Sequence, residues 1–377
     1  MNYLLLFLFF CLSLGQTQRI NVFDGQVNIY FHDIFLTSYV AYGLIKLFKS
    51  NKLVNFIKKD LFSFIPMAGV AILSLILGFW QYSLPENLVG LLYLLRLLVF
   101  FIFFGLLQKE KISVVDRLVV FSSSLVLVFS YFQYFLFPNF WPLYYLGWDP
   151  HMYRVVGTFF DATTAGAVFL FLTITNFFKY QKSKNNKYIY LAIAFVPLLF
   201  LTYSRITYLM GVTAIVYYLS TQKKFHLLLT GIMLIFGILF ILPRPDGAGV
   251  RLERAFSIKS RIVTNDIGLK LFRQHPIFGV GFNRIKYARE DIGIETKGNA
   301  ASGFPSSFVT ALSSMGILGL LSFIYLIGSF WKRTAPEGKT LLSALIVGSF
   351  FENIFFVSFV FLFFSLCYSH IRAHNER

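Results

Sequence analysis

Long apolar runs fill most of this sequence and leave only short polar segments between them. One run, LVGLLYLLRLLVFFIFFGLL at 88–107, holds a single charged residue, Arg96. About 20 apolar residues cross a bilayer as an α-helix, which satisfies its own backbone hydrogen bonds. Only 14% of the 377 residues are charged, whereas soluble domains have about 25%. The sequence therefore predicts an all-α polytopic membrane protein.

The apolar runs predict about twelve transmembrane helices in one transmembrane domain, residues 1–377. The run from Leu341 to Ser369 is too long for one helix, so we divide it at FEN, residues 351–353. The first run lacks a basic start and a small-residue cleavage site, which favours a helix over a signal peptide. The predicted spans are roughly 2–15, 28–46, 61–80, 87–107, 113–137, 157–178, 188–203, 206–221, 226–242, 304–330, 340–351 and 354–369.

Basic residues are concentrated in alternate loops. If the N-terminus is inside, the inner loops hold segments such as KLFKSNKLVNFIKK and KYQKSKNNK, whereas the short outer loops hold only Arg19, Arg154 and Arg205. This bias predicts a plasma-membrane protein with both termini in the cytoplasm. It also accounts for most of the net charge of +17 without a nucleic-acid partner.

One long segment, 243–303, is expected outside the membrane between spans nine and ten although it is rich in basic residues. Long loops are translocated largely regardless of their charge. Apolar residues from Ile262 to Phe272 recur at near-helical spacing. We therefore predict an amphipathic helix over about 261–274, with Ser260 as its N-cap and an end near His275, before Pro276.

Four stretches, in order, resemble sequence blocks of the O-antigen polymerase and O-antigen ligase superfamily of bacterial membrane glycosyltransferases. In ligases the last block opens with a His-Asn pair that activates the acceptor; here Pro305-Ser306 stands there, and Asn265 replaces the usual tryptophan of the third block. The missing histidine favours a polymerase over a ligase. The four stretches are RVVGTFFDATTAGAVFLFL at 154–172, LLFLTYSRITYLMGV at 198–212, SRIVTNDIGLKLFRQHPIFGVGFN at 260–283 and FPSSFVTALSSMGILGLLSF at 304–323.

The resemblance implies a GT-C-like architecture and a glycosyltransferase of the bacterial inner membrane. Such an enzyme moves a glycan from an undecaprenyl-diphosphate-linked oligosaccharide to an acceptor sugar at the outer membrane face. Its partners would be membrane lipids and a chain-length regulator and flippase of the same pathway. Cations must hold the diphosphate as negative charge builds on it, and a base can assist the acceptor hydroxyl. Because arginine binds phosphate oxygens well, we expect no metal ion or other cofactor.

Arg205, in a turn between two apolar runs, is the leading candidate for contact with the diphosphate. Its alternative role is to reach lipid phosphates from a helix end. Arg154 and Arg261 are further catalytic candidates, and His275 is a candidate base that could equally cap helix carbonyls. Asp149 and His151 are alternative bases. The substrate-binding candidates are Arg251, Arg254, Arg273 and Arg284 in the basic loop, Arg96 and Asp161 within spans, and Glu352 near the last outer turn.

Two of these candidates also have structural alternatives. Arg96 could form an ion pair with Glu352 or with Asp33, and Asp161 could pair with Arg154. At the level of the whole chain, a transporter of the same lipid-linked sugars is the main competing hypothesis. Transporters often contain paired repeats, and we find no internal repeat here. A peptidoglycan polymerase of similar architecture and a non-catalytic scaffold are the remaining alternatives.

Overall fold

The computed structural model describes residues 2–22, 26–243, 245, 248–253, 255–294 and 302–375. The chain is 77% helical. Its helices are α1 Asn2–Ser13, α2 Phe31–Lys49, α3 Leu53–Phe56, α4 Ile65–Leu77, α5 Leu84–Leu107, α6 Ile112–Leu136, α7 Ala162–Ser183, α8 Asn186–Leu201, α9 Arg205–Thr221, α10 Phe225–Ile241, α11 Phe256–Gln274, α12 Ile285–Asp291, α13 Ser307–Lys332, α14 Pro336–Phe351 and α15 Ser358–Asn375.

Among the described residues, four helices are long and apolar enough to cross a membrane: α5, α6, α7 and α13. A fifth span results if α3, its π-helical continuation Ile57–Leu61 and α4 count together, although they meet at a bend of 93°. The chain is thus an integral membrane protein built mainly of helices. Each of the twelve predicted spans overlaps a helix, and their number as membrane crossings stays a prediction.

A two-stranded antiparallel sheet corrects the all-α expectation near the N-terminus. Strand β1, Arg19–Val22, pairs with β2, Val27–Tyr30, in a register that sets Arg19 opposite Tyr30. The second span was expected from about residue 28, but β2 occupies this position and α2 begins at Phe31. The side chain of Asp33 explains this start, because its carboxylate accepts a hydrogen bond from the Tyr30 amide at 3.0 Å and caps the helix.

Helix α7 lies at the centre of the bundle. Most of its side chains are buried, including the run from Ala162 to Leu172, and α8 and α15 pack against it. Its neighbour α15 is buried from Phe359 to Ile371. A helix that is apolar on all sides is stable where other helices surround it, so these two elements form the core on which the site is built.

Helix α13 is broken at Gly316, whose backbone has φ 68° and ψ −163°. This conformation is essentially restricted to glycine. The segment 276–281 docks against the break: the amides of Val280 and Gly281 donate to the carbonyls of Ser313 and Ser314, each at 3.0 Å. Gly279 of the third sequence block and Gly316 of the fourth therefore meet at one junction, where the two backbones approach too closely for a side chain.

A helix, α11, is present where the sequence predicted one in the long loop; its amphipathic role at the membrane surface stays a prediction. It ends at Gln274 with His275 as C-cap, as predicted, but begins at Phe256. Ser260 therefore lies inside the helix and is not its N-cap; its carbonyl accepts a hydrogen bond from the Thr264 hydroxyl one turn later at 2.8 Å. Helix α11 packs against α13, with Leu271 buried and Ile267 beside it in a small apolar cluster.

Candidate functional site

A cavity of about 680 Å³ lies where α5, α7, α13 and α15 meet the long loop; we call it the large cavity. Its lining combines polar and charged side chains with aromatic and aliphatic ones. Its polar and charged lining residues are Tyr93, Arg96, Asp161, Thr164, Thr264, Asn283, Arg289, Ser302, Thr310, Ser314, Glu352, Asn353 and Ser358. Three of these, Arg96, Asp161 and Glu352, are predicted site residues.

Glu352 lies in the loop that joins α14 to α15, at the point where FEN predicted a break. Its carboxylate forms an ion pair with Arg261 of α11 at 2.5 Å, and Arg261 also donates to the Phe351 carbonyl. Burial raises the pKa of Glu352 above 4.5; Arg261 opposes this rise and the nearby Asp161 adds to it. The site thus contains a carboxylate whose basicity depends on one cation and one anion.

Asp161 immediately precedes α7 and caps it. One of its carboxylate oxygens accepts a hydrogen bond from the Thr164 amide at 2.6 Å, the usual N-cap interaction. The same first turn of α7 contacts the second sequence block, since the hydroxyls of Thr163 and Ser204 are 3.3 Å apart. Two sequence blocks separated by about one span therefore meet beside the cavity.

Arg96 is paired with Asp33, one of the two partners considered from the sequence. The guanidinium lies 2.6 Å from the Asp33 carboxylate and also donates to the Asn28 carbonyl. It lies over the rings of Tyr93 and Tyr30, with centroid distances of 5.2 and 5.9 Å. The β-hairpin thus holds Arg96 on one wall of the cavity.

Arg205 and Arg154 lie on either side of the turn between α8 and α9. Arg205 donates to the Leu252 carbonyl at 3.2 Å and to the Ser257 hydroxyl at 2.6 Å, so it connects this turn to the long loop. Arg154 is buried and donates to the Thr202 carbonyl at 2.8 Å. A cation is favourable at this helix end, where carbonyls are unpaired. Among the described residues, neither arginine lines the large cavity.

The remaining predicted residues are spread over the long loop. Arg251 and Arg273 are exposed, and Arg254 lies outside the described residues. His275 caps α11 through its own amide, which donates to the carbonyls of Leu271 and Phe272. His275 is absent from the described lining of the large cavity.

Arg284 is completely buried. Its guanidinium donates to the Asn87 side chain and lies over the Tyr82 ring at 4.8 Å. Burial lowers the pKa of Arg284. It packs against Gly78, where any side chain would collide with the guanidinium, so its position is a packed interior rather than the cavity surface.

The sequence patterns did not identify two residues that line the large cavity, Arg289 and Asn353. Arg289 lies in α12 with its guanidinium over the Phe304 ring at 5.7 Å; burial lowers its pKa. Asn353 has a buried amide oxygen with no hydrogen-bond partner among the described residues, and its amide nitrogen occupies the space left by the missing side chain of Gly303. The FEN interruption in an apolar run was the available signal for Asn353.

The described residues contain no group of three or more His, Cys, Asp or Glu side chains able to hold a metal ion. The charged groups of the large cavity are instead two carboxylates, Asp161 and Glu352, and two guanidiniums, Arg96 and Arg289. Arg261 adds a third guanidinium through its pair with Glu352. Such a mixed set can bind an anion and accept a proton within one space.

Comparison with known families gives one match. A family model described as O-Antigen ligase matches residues 189–324, which run from α8 into α13 and include three of the four sequence blocks. A search of curated proteins finds no match. The family match confirms, over this part of the chain, the similarity to the O-antigen ligase and polymerase superfamily.

Proposed function

We propose that the chain is a metal-independent glycosyltransferase of the polymerase type, acting on a glycan linked to undecaprenyl diphosphate. The observation that carries this proposal is the Glu352–Arg261 pair at 2.5 Å on the edge of a cavity of about 680 Å³. The family match supports an enzyme of this broad kind acting on a lipid-linked oligosaccharide.

Glu352 is the proposed general base. The acceptor hydroxyl gives its proton to the Glu352 carboxylate as its oxygen bonds to the anomeric carbon of the donor sugar. The bond from that carbon to the phosphate oxygen breaks, and undecaprenyl diphosphate leaves with the electron pair. Burial raises the pKa of Glu352, which makes the carboxylate a stronger base. In ligases a histidine of the last sequence block activates the acceptor. This chain has Pro305-Ser306 at that position, and we assign activation of the acceptor to Glu352 instead.

Arg261 is proposed to connect donor binding with activation of the base. An incoming diphosphate carries more negative charge than one carboxylate and competes for the guanidinium, which binds phosphate oxygens with two parallel hydrogen bonds. When Arg261 turns to the diphosphate, Glu352 loses its ion-pair partner and can accept the proton. Arg289 on the cavity wall would share the developing charge of the leaving group.

Arg205 and Arg154 would act at the rim of the site. Arg205 joins the α8–α9 turn to the long loop through Leu252 and Ser257. A diphosphate arriving between turn and loop would meet this guanidinium first. Arg154 fixes the turn through the Thr202 carbonyl, so we assign it a positioning role. The free amide oxygen of Asn353 is a proposed acceptor for a hydroxyl of the acceptor sugar.

This function carries a proposed location and organisation. The transmembrane domain would span residues 1–377 in the inner membrane of a bacterium, with both termini in the cytoplasm and the loop 243–303 outside. The large cavity would then open at the outer face, where lipid-linked sugars are joined. A chain-length regulator and the flippase that delivers the donor are the expected partners in the membrane.

A ligase is the second candidate, because the matching family model is described as O-Antigen ligase. The two functions differ in the acceptor: a polymerase extends another lipid-linked glycan, and a ligase transfers the finished glycan to a different molecule. The pair Pro305-Ser306 favours the polymerase. Ser306 is occupied as the N-cap of α13, where its hydroxyl accepts from the Val309 amide at 3.4 Å.

The test is complementation of a deletion strain with the wild-type chain, Glu352→Gln or Asp266→Asn. Asp266 is an exposed carboxylate on α11, paired with Lys270 one turn away, and serves as the matched control. We expect Glu352→Gln to lower polymer formation by about 10²- to 10⁴-fold, as for loss of a general base, with Asp266→Asn unchanged. Gel electrophoresis of surface polysaccharide resolves the products.

The pattern on the gel separates the two functions. Loss of a polymerase leaves single repeat units on the surface, whereas loss of a ligase leaves none and lipid-linked polymer accumulates. The same strain with Arg205→Ala or Arg205→Lys tests the rim arginine. A normal ladder from a normally expressed Glu352→Gln variant would rule out the proposed base.

A further inference from the structure

A second cavity lies at the opposite end of the bundle from the large cavity. It has a volume of about 580 Å³, and we call it the basic cavity because four of its lining residues are Lys58, Lys59, Arg333 and Arg372. Its one lining carboxylate, Asp60, is already paired with Lys109 at 2.7 Å. The cavity therefore has a large excess of positive charge.

These cations come together from segments that are far apart in the sequence. Lys58 and Lys59 belong to the π-helical turn Ile57–Leu61, Arg333 follows α13, and Arg372 lies near the end of α15. The Arg333 guanidinium donates to the Lys59 carbonyl at 3.5 Å, and Arg372 donates to the Gln108 side chain. All three segments lie in the basic loops that the charge bias places in the cytoplasm.

Three cations of the basic cavity have no carboxylate within ion-pair distance. Among the described residues, Lys58, Lys59 and Arg333 form no salt bridge with any carboxylate. Like charges repel one another when they are gathered in one space. A cavity with more cations than acids gains from a bound anion, whose charge removes this repulsion.

The floor of the basic cavity is aromatic. The rings of Phe104 and Phe330 are stacked with centroids 4.9 Å apart, and Tyr368 lies 5.5 Å from Phe104. Phe361, which lines the large cavity, is 6.3 Å from Phe104. Aromatic rings thus lie between the two cavities, which share no lining residue within the described part of the chain, and the basic cavity is a site of its own rather than an extension of the large one.

We propose that the basic cavity binds a phosphate group, presented either by the headgroup of an acidic phospholipid or by a soluble phosphate compound. Lysines and an arginine around a polar opening match phosphate oxygens in charge and in hydrogen-bond donors. Basic pockets between membrane helices on the cytoplasmic side characteristically bind acidic headgroups. The site is independent of glycan transfer, and it would attach this end of the bundle to the inner lipid leaflet.

The experiment uses the full chain in detergent and two matched lysine pairs. Lys58→Gln/Lys59→Gln removes two adjacent exposed lysines of the basic cavity, and Lys223→Gln/Lys224→Gln removes two adjacent exposed lysines from another predicted cytoplasmic loop. Native mass spectrometry measures binding of dioleoylphosphatidylglycerol and, as a neutral reference, dioleoylphosphatidylcholine. A melting series with inorganic phosphate against chloride at equal ionic strength tests the soluble source.

For the lipid source we expect wild type to prefer phosphatidylglycerol and Lys58→Gln/Lys59→Gln to bind it about thirtyfold more weakly, roughly fivefold for each cation. The Lys223→Gln/Lys224→Gln variant should bind as wild type does. For the soluble source, phosphate should raise the melting temperature of wild type and of the control pair but not of the cavity pair. Equal losses in both pairs, or no loss in either assay, would overturn the proposal. Arg333→Gln is a second variant that should weaken the same ligand.

Discussion

The two cavities are built on the same three helices, α5, α13 and α15, yet their charges are arranged in opposite ways. In the large cavity, Arg96 is paired with Asp33 at 2.6 Å and Arg261 with Glu352 at 2.5 Å. In the basic cavity, the one lining carboxylate is paired with Lys109, which is outside the lining. The bundle thus balances charge at one end and accumulates it at the other.

This difference indicates two kinds of anion binding. A paired guanidinium is held in place before the substrate arrives and must exchange one anion for another, which couples binding to the release of a carboxylate. An unpaired cation on an exposed segment gains its first partner when the ligand binds. The first arrangement suits chemistry, where a base must be freed at the right moment, and the second suits attachment. It follows that changes near the large cavity should cost far more stability than changes in the basic cavity.

The largest effect is expected at the junction beside the large cavity. In Gly316→Ala the new methyl group would lie 2.2 Å from the Ile277 carbonyl oxygen, and this backbone cannot move without breaking the docking of 276–281. The backbone conformation alone costs about 1–3 kcal/mol for a residue other than glycine. We expect little folded protein, measured by size-exclusion profile and melting temperature in detergent.

The control is Gly328→Ala on the same helix, where nothing lies within 4 Å of the added methyl group. Alanine is favoured over glycine within a helix by about 1 kcal/mol, so this variant should be as stable as wild type or slightly more stable. If both alanine variants melted alike, the wall of the large cavity would not depend on the break in α13.

The next effect concerns the Arg96–Asp33 pair. In Arg96→Gln the Asp33 carboxylate is left largely buried without its cation, which costs about 3–5 kcal/mol when one partner of a buried pair is removed. Adding Asp33→Asn removes the stranded charge and should restore most of the melting temperature. Melting of Arg96→Gln at the wild-type temperature would contradict the structural importance of this pair.

Activity of the same double variant decides the role of Arg96. If the arginine only supports the fold, glycan transfer should return together with stability. If Arg96 also contacts the substrate from the cavity wall, the double variant will be stable but remain slow. The measurement is the polysaccharide ladder in the complemented strain, normalised to the amount of folded protein in the membrane.

The elements that sequence patterns predicted well are those set by local properties. Apolar runs place the helices, FEN at 351–353 places the break before α15, and Pro276 places the end of α11. The β-hairpin was missed because its two strands are only four residues each, too short for an alternating pattern to stand out. The start of α11 was wrong because Ser260 is a good N-cap type that the surrounding helix simply includes.

The candidate site was predictable residue by residue but not as an arrangement. The sequence identified Glu352, Asp161 and Arg261 individually, yet their meeting depends on how α7, α11 and the last loop pack. Arg205 and Arg154 were expected as candidates for diphosphate contact and catalysis, and the structure uses them to hold backbone carbonyls. Such carbonyl contacts leave no sequence pattern, because any residue can supply the acceptor.

A smaller effect is expected in the pH dependence of glycan transfer. Burial raises the pKa of Glu352, Arg261 opposes this rise and Asp161 adds to it. Because the base acts when ionised, activity is lost as the pH falls through this raised pKa, so the acid limb should lie at a higher pH than for an ordinary glutamate. Arg261→Gln should move the limb to higher pH, and Asp161→Asn to lower pH.

The two variants serve as controls for each other, since they change the charge near Glu352 in opposite directions. Asparagine remains a good N-cap for α7, so Asp161→Asn should keep the fold. The measurement is kcat/KM for the lipid-linked donor, taken from initial rates of purified protein at donor concentrations well below KM from pH 4 to 8, because this ratio reports the free enzyme, in which Arg261 is paired with Glu352. If the acid limb moved in the same direction in Arg261→Gln and in Asp161→Asn, Glu352 would be excluded as the titrating group.

The smallest effect is expected for stability in the basic cavity. Lys58 and Lys59 are exposed and form no salt bridge within the described part of the chain, so Lys58→Gln/Lys59→Gln should change the free energy of unfolding by no more than about 0.5 kcal/mol. Lower mutual repulsion would make the change slightly stabilising at low salt, and added salt would remove it. Thermal melting at two salt concentrations, in detergent free of acidic lipid, measures this. A loss as large as that of Arg96→Gln would mean that these lysines already hold the bundle together, and the contrast between the two cavities would disappear.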